Sequence, residues 1–322
     1  MFRYRVYGLT IESDTHFPEL SLLEKPTDAM PTDVRVRLRV PDASAPQISQ
    51  MLKTTTKLDG SPWLVSARVG NGNGYLMRFV ESADFVVDAT GSQIVCWRIE
   101  RSVSPETVRH LVLDHVFPMV LNRRGRDALH ATAIVTPKGA CAFFGPTGSG
   151  KSTLAASFFL AGFGALGDDC LPLLEQNGCI QVLPGYPGMR LGRDALDALS
   201  PGADATTPVS DFTSKLRALE SPSAKNFPRE AVRLSRIYQV VRARDGDPEI
   251  TRPAIEPIEP RAAFIELLSS SFLLDFADPD MLKRHFQLME KVATTVPVRR
   301  LKVPNDLNAL HAVREAVLAD LS

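Results

Sequence analysis

The run Gly145-Pro146-Thr147-Gly148-Ser149-Gly150-Lys151-Ser152 constrains this chain more than any other feature. An apolar segment that reads as a strand, Cys141-Ala142-Phe143-Phe144, precedes it, and a helical segment from Ser152 to Leu160 follows. A Gly-rich loop between strand and helix aims successive backbone N–H groups at one point, where the helix N-terminus adds partial positive charge. Glycines are needed because only a residue without Cβ lets the backbone approach a phosphate so closely. Lys151 is placed for the β- and γ-phosphates and the Ser152 hydroxyl for Mg²⁺. The predicted nucleotide-binding set is Gly145, Pro146, Thr147, Gly148, Ser149, Gly150, Lys151, Ser152 and Thr153, with a nucleoside triphosphate as the ligand.

A second feature lies one short helix downstream, at Gly167-Asp168-Asp169. That spacing predicts a helix returning directly to the neighbouring strand, with the acidic pair at the strand's end. Adjacent carboxylates there point in different directions, so one can face Mg²⁺ while the other faces an attacking nucleophile. Phosphoryl transfer asks little more of a protein than positioning, charge neutralisation and a base for the incoming proton. His130 heads the strand Ala131–Val135. Spacing alone leaves it either beside the phosphates or as a structural histidine.

Around these motifs the chain divides in two. Residues 1–102 read as a β-rich domain, in which Val34, Val36, Leu38 and Val40 alternate with arginines and Tyr75-Met77-Phe79 continues the two-residue period. Residues 103–322 read as an α/β domain. It opens on a helix capped by Ser104, with Pro105 at its first position and Gly125 at its end. His115 lies on that helix's apolar face and is expected in the core. Arg123, Arg124 and Arg126 read as a solvated helix end rather than a phosphate contact. Further strands are expected at 171–174, 180–183, 237–241 and 254–258, and helical spacing returns at 262–268, from Met281 and from Leu307. The segment 200–229, rich in Pro, Ser, Ala and Thr, reads as a mobile loop, either a lid over substrate or plain surface.

Composition narrows the function classes. Lys+Arg and Asp+Glu both number 37, so the basic surplus of a nucleic-acid binder is lacking. The four cysteines form no CxxC pair, which argues against a zinc site or a disulfide framework. The N-terminus has no long apolar run, and nowhere do eighteen apolar residues run together. A soluble, cytoplasmic setting without a membrane partner is therefore expected.

Taken in order, His130 at a strand start, the phosphate loop, and Gly-Asp-Asp soon after its helix resemble HPr kinase/phosphorylase. More closely, the chain resembles the HPr-kinase-related proteins of bacterial peptide-tailoring clusters, the lasso-peptide precursor kinases among them. The motifs that carry this are Tyr4-Arg5-Val6-Tyr7-Gly8-Leu9-Thr10-Ile11, Leu129-His130-Ala131-Thr132-Ala133, Gly185-Tyr186-Pro187-Gly188-Met189-Arg190-Leu191 and Val296-Pro297-Val298. The resemblance implies an α/β, P-loop HPr kinase/carboxykinase-like catalytic domain with a smaller β-rich N-terminal domain that docks substrate. It also implies Mg-ATP as donor and a serine of a peptide or small protein as acceptor. By the same resemblance Asp168 is the general base, Asp169 helps to hold Mg²⁺, His130 orients or tunes the base, and a homo-oligomer is expected. Arg190 and Lys215 are candidates for phosphate or substrate contact, with an ion pair and a solvated lysine as their plainer readings. Leu183–Leu191 lacks the glutamate that HPr kinases carry in a Gly-rich segment after the acidic pair, so the resemblance does not bring phosphorylase activity with it. A small-molecule kinase, an HPr-type regulatory kinase and a nucleotide-sensing module without turnover are the alternative functions.

Overall fold

The computed structural model describes residues 1–24, 30–38, 46–57, 59–70, 72, 74–200, 208–218, 227–243 and 250–322. Val40 and half of the proposed 200–229 loop lie outside them. The described chain forms two compact units. One comprises Met1–Arg126 with Ser210–Thr213 and Phe272–Arg284; the other comprises Asp127–Val209, Ser214–Ser271 and His285–Ser322. The division thus falls at 126/127 and not at 102/103, because the helical run after Ser104 groups with the N-terminal strands.

The first unit is built on a sheet of β1 (Phe2–Val6), β2 (Leu9–Ser13), β3 (Val34–Arg37), β4 (Ile48–Thr56), β5 (Pro62–Val69), β6 (Gly74–Phe79), β7 (Ala83–Asp88) and β8 (Gln93–Ile99), in the order β1-β2-β3-β8-β7-β6-β5-β4. The turn between β1 and β2 has positive φ at both Tyr7 and Gly8, the twist that suits a tight hairpin. The helical run comprises α1 (Pro105–Leu111), a π-helical turn (Val112–Val116) and α2 (Phe117–Arg123). Ser104 caps it as expected, its hydroxyl accepting from the Thr107 amide. Pro118 accounts for the wide turn: it brings no N–H, and its ring would collide with the carbonyl four residues back, so the ladder loosens just before it.

Arg123, Arg124 and Arg126 are not a solvated helix end. Arg123 donates to the Ala89 carbonyl and pairs with Asp278, Arg124 pairs with Asp33 at 3.3 Å, and Arg126 donates to the Tyr7 carbonyl at 2.9 Å. Each ties the helix end to strands or loops of its own unit. His115 is half-buried in a ring cluster with Trp63, Phe79 and His110.

The second unit holds the Gly-rich loop 145–152. Its sheet comprises β9 (Ala128–Leu129), β10 (Ala131–Thr136), β11 (Gly139–Phe144), β12 (Gly164–Gly167), β13 (Leu171–Gln176), β14 (Cys179–Val182), β17 (Val232–Arg242), β18 (Ala254–Pro257) and β19 (Val298–Val303), with β15 (Met189–Leu191) and β16 (Leu216–Ala218) as a separate pair. Side chains alternate along β11. Ala140, Ala142 and Phe144 join a core with residues of the helices Pro260–Ser269 and Pro279–Thr295, while Cys141 and Phe143 join one with α3 (Lys151–Leu160) and the helix Leu310–Asp320. Helices therefore cover both faces of the sheet, and burial on both faces explains the continuous apolar run of β11.

The path of the acidic pair differs from the expected one. β10 forms a hairpin with β11 and occupies the place beside it, so β12 pairs with β10 and lies one strand further out. On the other side β17 runs parallel to β11, and β19 parallel to β17. Asp168 and Asp169 thus reach the loop across the end of β10.

A buried polar chain closes this unit. The two ring nitrogens of His285 face Asp127 Oδ1 at 3.2 Å and Ser271 Oγ at 2.8 Å. Both His285 and Asp127 are fully buried, and removing one partner of a buried polar contact strands the other. We expect Asp127→Ala to lower the unfolding free energy by roughly 1–3 kcal/mol. An unchanged denaturation midpoint would show that the chain contributes nothing to stability.

Candidate functional site

The loop geometry follows from its glycines. Gly145, Gly148 and Gly150 all have positive φ. A Cβ on Gly145 would lie 2.7 Å from the Val240 carbonyl oxygen, and one on Gly150 would lie 2.6 Å from the Arg242 guanidinium. Either side chain would collide with the end of β17 as well as strain the backbone. Lys151 is buried and folds back over the loop, its ammonium donating to the carbonyls of Gly145 (2.8 Å) and Pro146 (3.2 Å). Burial pulls its pKa below the ordinary lysine value, and the charges of Asp169 and Asp168 oppose the shift. A cation desolvated in this way gains most from an incoming anion.

The two aspartates are placed very differently. Asp168 has a side chain only 1% exposed, and hydrogen bonds occupy both of its oxygens. Oδ1 accepts from Ser152 Oγ at 2.9 Å and from Thr132 Oγ1; Oδ2 accepts from the Arg190 amide at 3.0 Å. The Arg190 guanidinium also donates to the Asp168 carbonyl and pairs with Asp169 at 3.6 Å. Arg190 is therefore an ion-pair partner of the acidic pair. Asp169, by contrast, adopts φ 66° and turns outward, with its side chain 18% exposed. Its Oδ1 lies 3.8 Å from His130 Nε2.

His130 is positioned by its backbone, which donates to the Ser270 carbonyl at 2.6 Å. Burial lowers its pKa below the usual imidazole value, with Asp169 acting in the opposite sense. The side chain is 40% exposed, so solvent screens that shift.

A cavity of about 610 Å³ opens over the loop. His130, Thr147, Gly148, Gly150, Lys151, Ser152, Thr153 and Asp169 line it, as do Arg190 and Lys215. Asp168 does not; it sits behind Ser152. Gly145, Pro146 and Ser149 shape the loop beneath without lining the cavity. Most of the residues singled out by sequence are thus brought together, but the carboxylate expected to meet the acceptor is the covered one. The lining also includes Arg193, Asp194, Arg242, Asn305 and Asp306, which no motif marked. Among the described residues no group of three or more His, Cys, Asp and Glu side chains could hold a metal on its own. A divalent cation in the cavity would draw on the Ser152 hydroxyl, held from behind by Asp168 at 2.9 Å, and on nucleotide oxygens. No helix among the described residues is long and apolar enough to cross a membrane.

No protein-family model matches the chain, and no curated protein matches it. Among solved structures it is similar to the Hpr(Ser) kinase/phosphatase from Coxiella burnetii, with 12% identity over 61% of this chain and 99% of that chain and a TM-score of 0.32.

Proposed function

We propose that the chain is a kinase that transfers the γ-phosphoryl group of ATP to a hydroxyl, the acceptor being a serine of a peptide or small protein. The observation that carries this reading is the division between the two aspartates at one phosphate loop. Asp168 is locked to Ser152, and Asp169 faces the same cavity as Lys151. A nucleotide sensor has use for the first arrangement and none for the second, since holding a nucleotide needs no base.

The roles follow from accessibility, and they exchange those that the family resemblance implies. Asp168, buried behind Ser152 with both oxygens hydrogen-bonded, serves the metal side through Ser152. Mg²⁺, when bound, neutralises charge on the β- and γ-phosphates. Asp169 is the base: the acceptor oxygen attacks the γ-phosphorus, its proton passes to Asp169, and the bond to the β,γ-bridging oxygen breaks to leave ADP. His130 holds the Asp169 carboxylate in place. Lys151 and the loop amides stabilise charge on the transferring group. Lys215, also on the cavity lining, is a further cation for that group or for the substrate.

Incubation with γ-labelled ATP, Mg²⁺ and a serine-containing peptide tests the reading. Label should appear on the peptide and vanish when the serine is replaced by alanine. Transfer to a small alcohol but to no peptide would make the protein a small-molecule kinase. Tight ATP binding with no transfer to any hydroxyl would leave a nucleotide-binding module.

A further inference from the structure

Arg242 ends β17, the strand that runs parallel to β11 on the side away from β12. β11 and β17 are in register at Phe144 and Gln239, so Val240, Val241 and Arg242 run on beside the phosphate loop. The contact is close. The guanidinium lies against Gly150, where even a methyl group would meet it at 2.6 Å, and it opens into the same cavity as Lys151.

Its surroundings do not neutralise it. The polar partner within reach is the neutral Asn305 Oδ1, at 3.4 Å, and Nε is buried with no hydrogen-bond partner among the described residues. No carboxylate among them forms an ion pair with it. Asp306 lines the same cavity, but its side chain accepts from the Asn308 amide at the start of the following helical turn. Burial alone, with no charge opposing it, lowers the pKa of Arg242. A guanidinium is a planar fork of donors that matches phosphate oxygens, and a half-buried one without a counter-ion is costly unless an anion arrives.

We propose that Arg242 is a phosphate-binding residue of the nucleotide cavity. It grips the α- and β-phosphates from the flank of the loop opposite the acidic pair. This rests on the nucleotide reading above and adds to it a direction. The acidic pair lies across β10 on one side of the loop and Arg242 on the other. The acceptor therefore enters over Asp169, and the nucleoside end of the ligand lies toward Arg242 and Asn305.

Titration of the whole protein with ATP, ADP and tripolyphosphate tests this. In wild type all three should bind. In Arg242→Ala all three should weaken by a similar factor, about 10- to 100-fold, as expected for loss of a charge-assisted contact. Arg242→Gln keeps part of the stem and a neutral polar end and should show the same loss if the alanine variant folds poorly. Affinities within twofold of wild type in the folded variants would overturn the proposal. So would a loss for ATP and ADP with tripolyphosphate unaffected, which would make Arg242 a reader of the nucleoside. If wild type itself bound neither ATP nor ADP, the nucleotide reading would fall, a result distinct from either.

Discussion

Lys151→Ala should remove nucleotide binding and phosphotransfer together. The ammonium sits at the mouth of the loop, held by the Gly145 and Pro146 carbonyls and drawn on by Asp168 and Asp169. These contacts place it within a side chain's swing of where the γ-phosphate would rest. Loss of one preorganised charge contact at a developing anion typically costs about 10²–10³ in rate. Here the same group also compensates the ground-state charge of the triphosphate, so affinity should fall as well. Calorimetric titration with ATP and the labelled-transfer assay measure the two effects separately. The fold should survive, because the two loop carbonyls can turn to water once the ammonium is gone. A variant that binds ATP as tightly as wild type would show that the loop is not a triphosphate site.

What the sequence made legible was what is local. Strand, loop and helix around Lys151 are contiguous, so the glycine spacing and apolar flanks identified them without knowledge of the fold. The Ser104 cap was readable for the same reason. Strand order was not. Nothing in the segment after Gly150 says that β10, which precedes the loop, takes the place beside β11 and moves the acidic pair one strand outward. Arg242 went unmarked, and Thr132 was named within a motif but given no role, because their closeness to the loop depends on the pairing of β11 with β17 and of β10 with β12. β19 was hidden differently. Arg299, Arg300 and Lys302 mask its apolar positions, yet each cation is paired, with Asp320, Gln239 and Glu256, while Val298, Leu301 and Val303 enter the core. The arginines at the end of α2 misled in the same direction, since a run of cations looks solvated until its partners are known. Which aspartate faces the cavity was beyond any pattern, because it turns on the positive φ of Asp169.

That φ also makes the sharpest test a clean one. Asparagine tolerates the left-handed region at least as well as aspartate, so Asp169→Asn keeps the backbone while removing the base. We expect phosphotransfer to fall by about 10²–10⁴, the usual contribution of acid–base catalysis, with nucleotide affinity little changed. Asp168→Asn should behave differently. Its amide can keep accepting from the Arg190 backbone N–H only by turning N–H groups toward the Ser152 and Thr132 hydroxyls, which must then accept where they now donate, and the Arg190 guanidinium loses a charged partner. A mispaired buried contact of this kind costs roughly 1–3 kcal/mol, so this variant should lose stability and Mg-dependent nucleotide affinity along with rate. Single-turnover transfer, ATP titration with and without Mg²⁺, and thermal unfolding distinguish the two patterns. If Asp169→Asn transfers phosphate at a near-normal rate while Asp168→Asn binds Mg-ATP normally but does not react, the base is Asp168. Its present bonds to Ser152 and Arg190 would then have to open during the reaction. If both variants lose only affinity, neither carboxylate is a base, and the cavity binds a nucleotide without activating an acceptor.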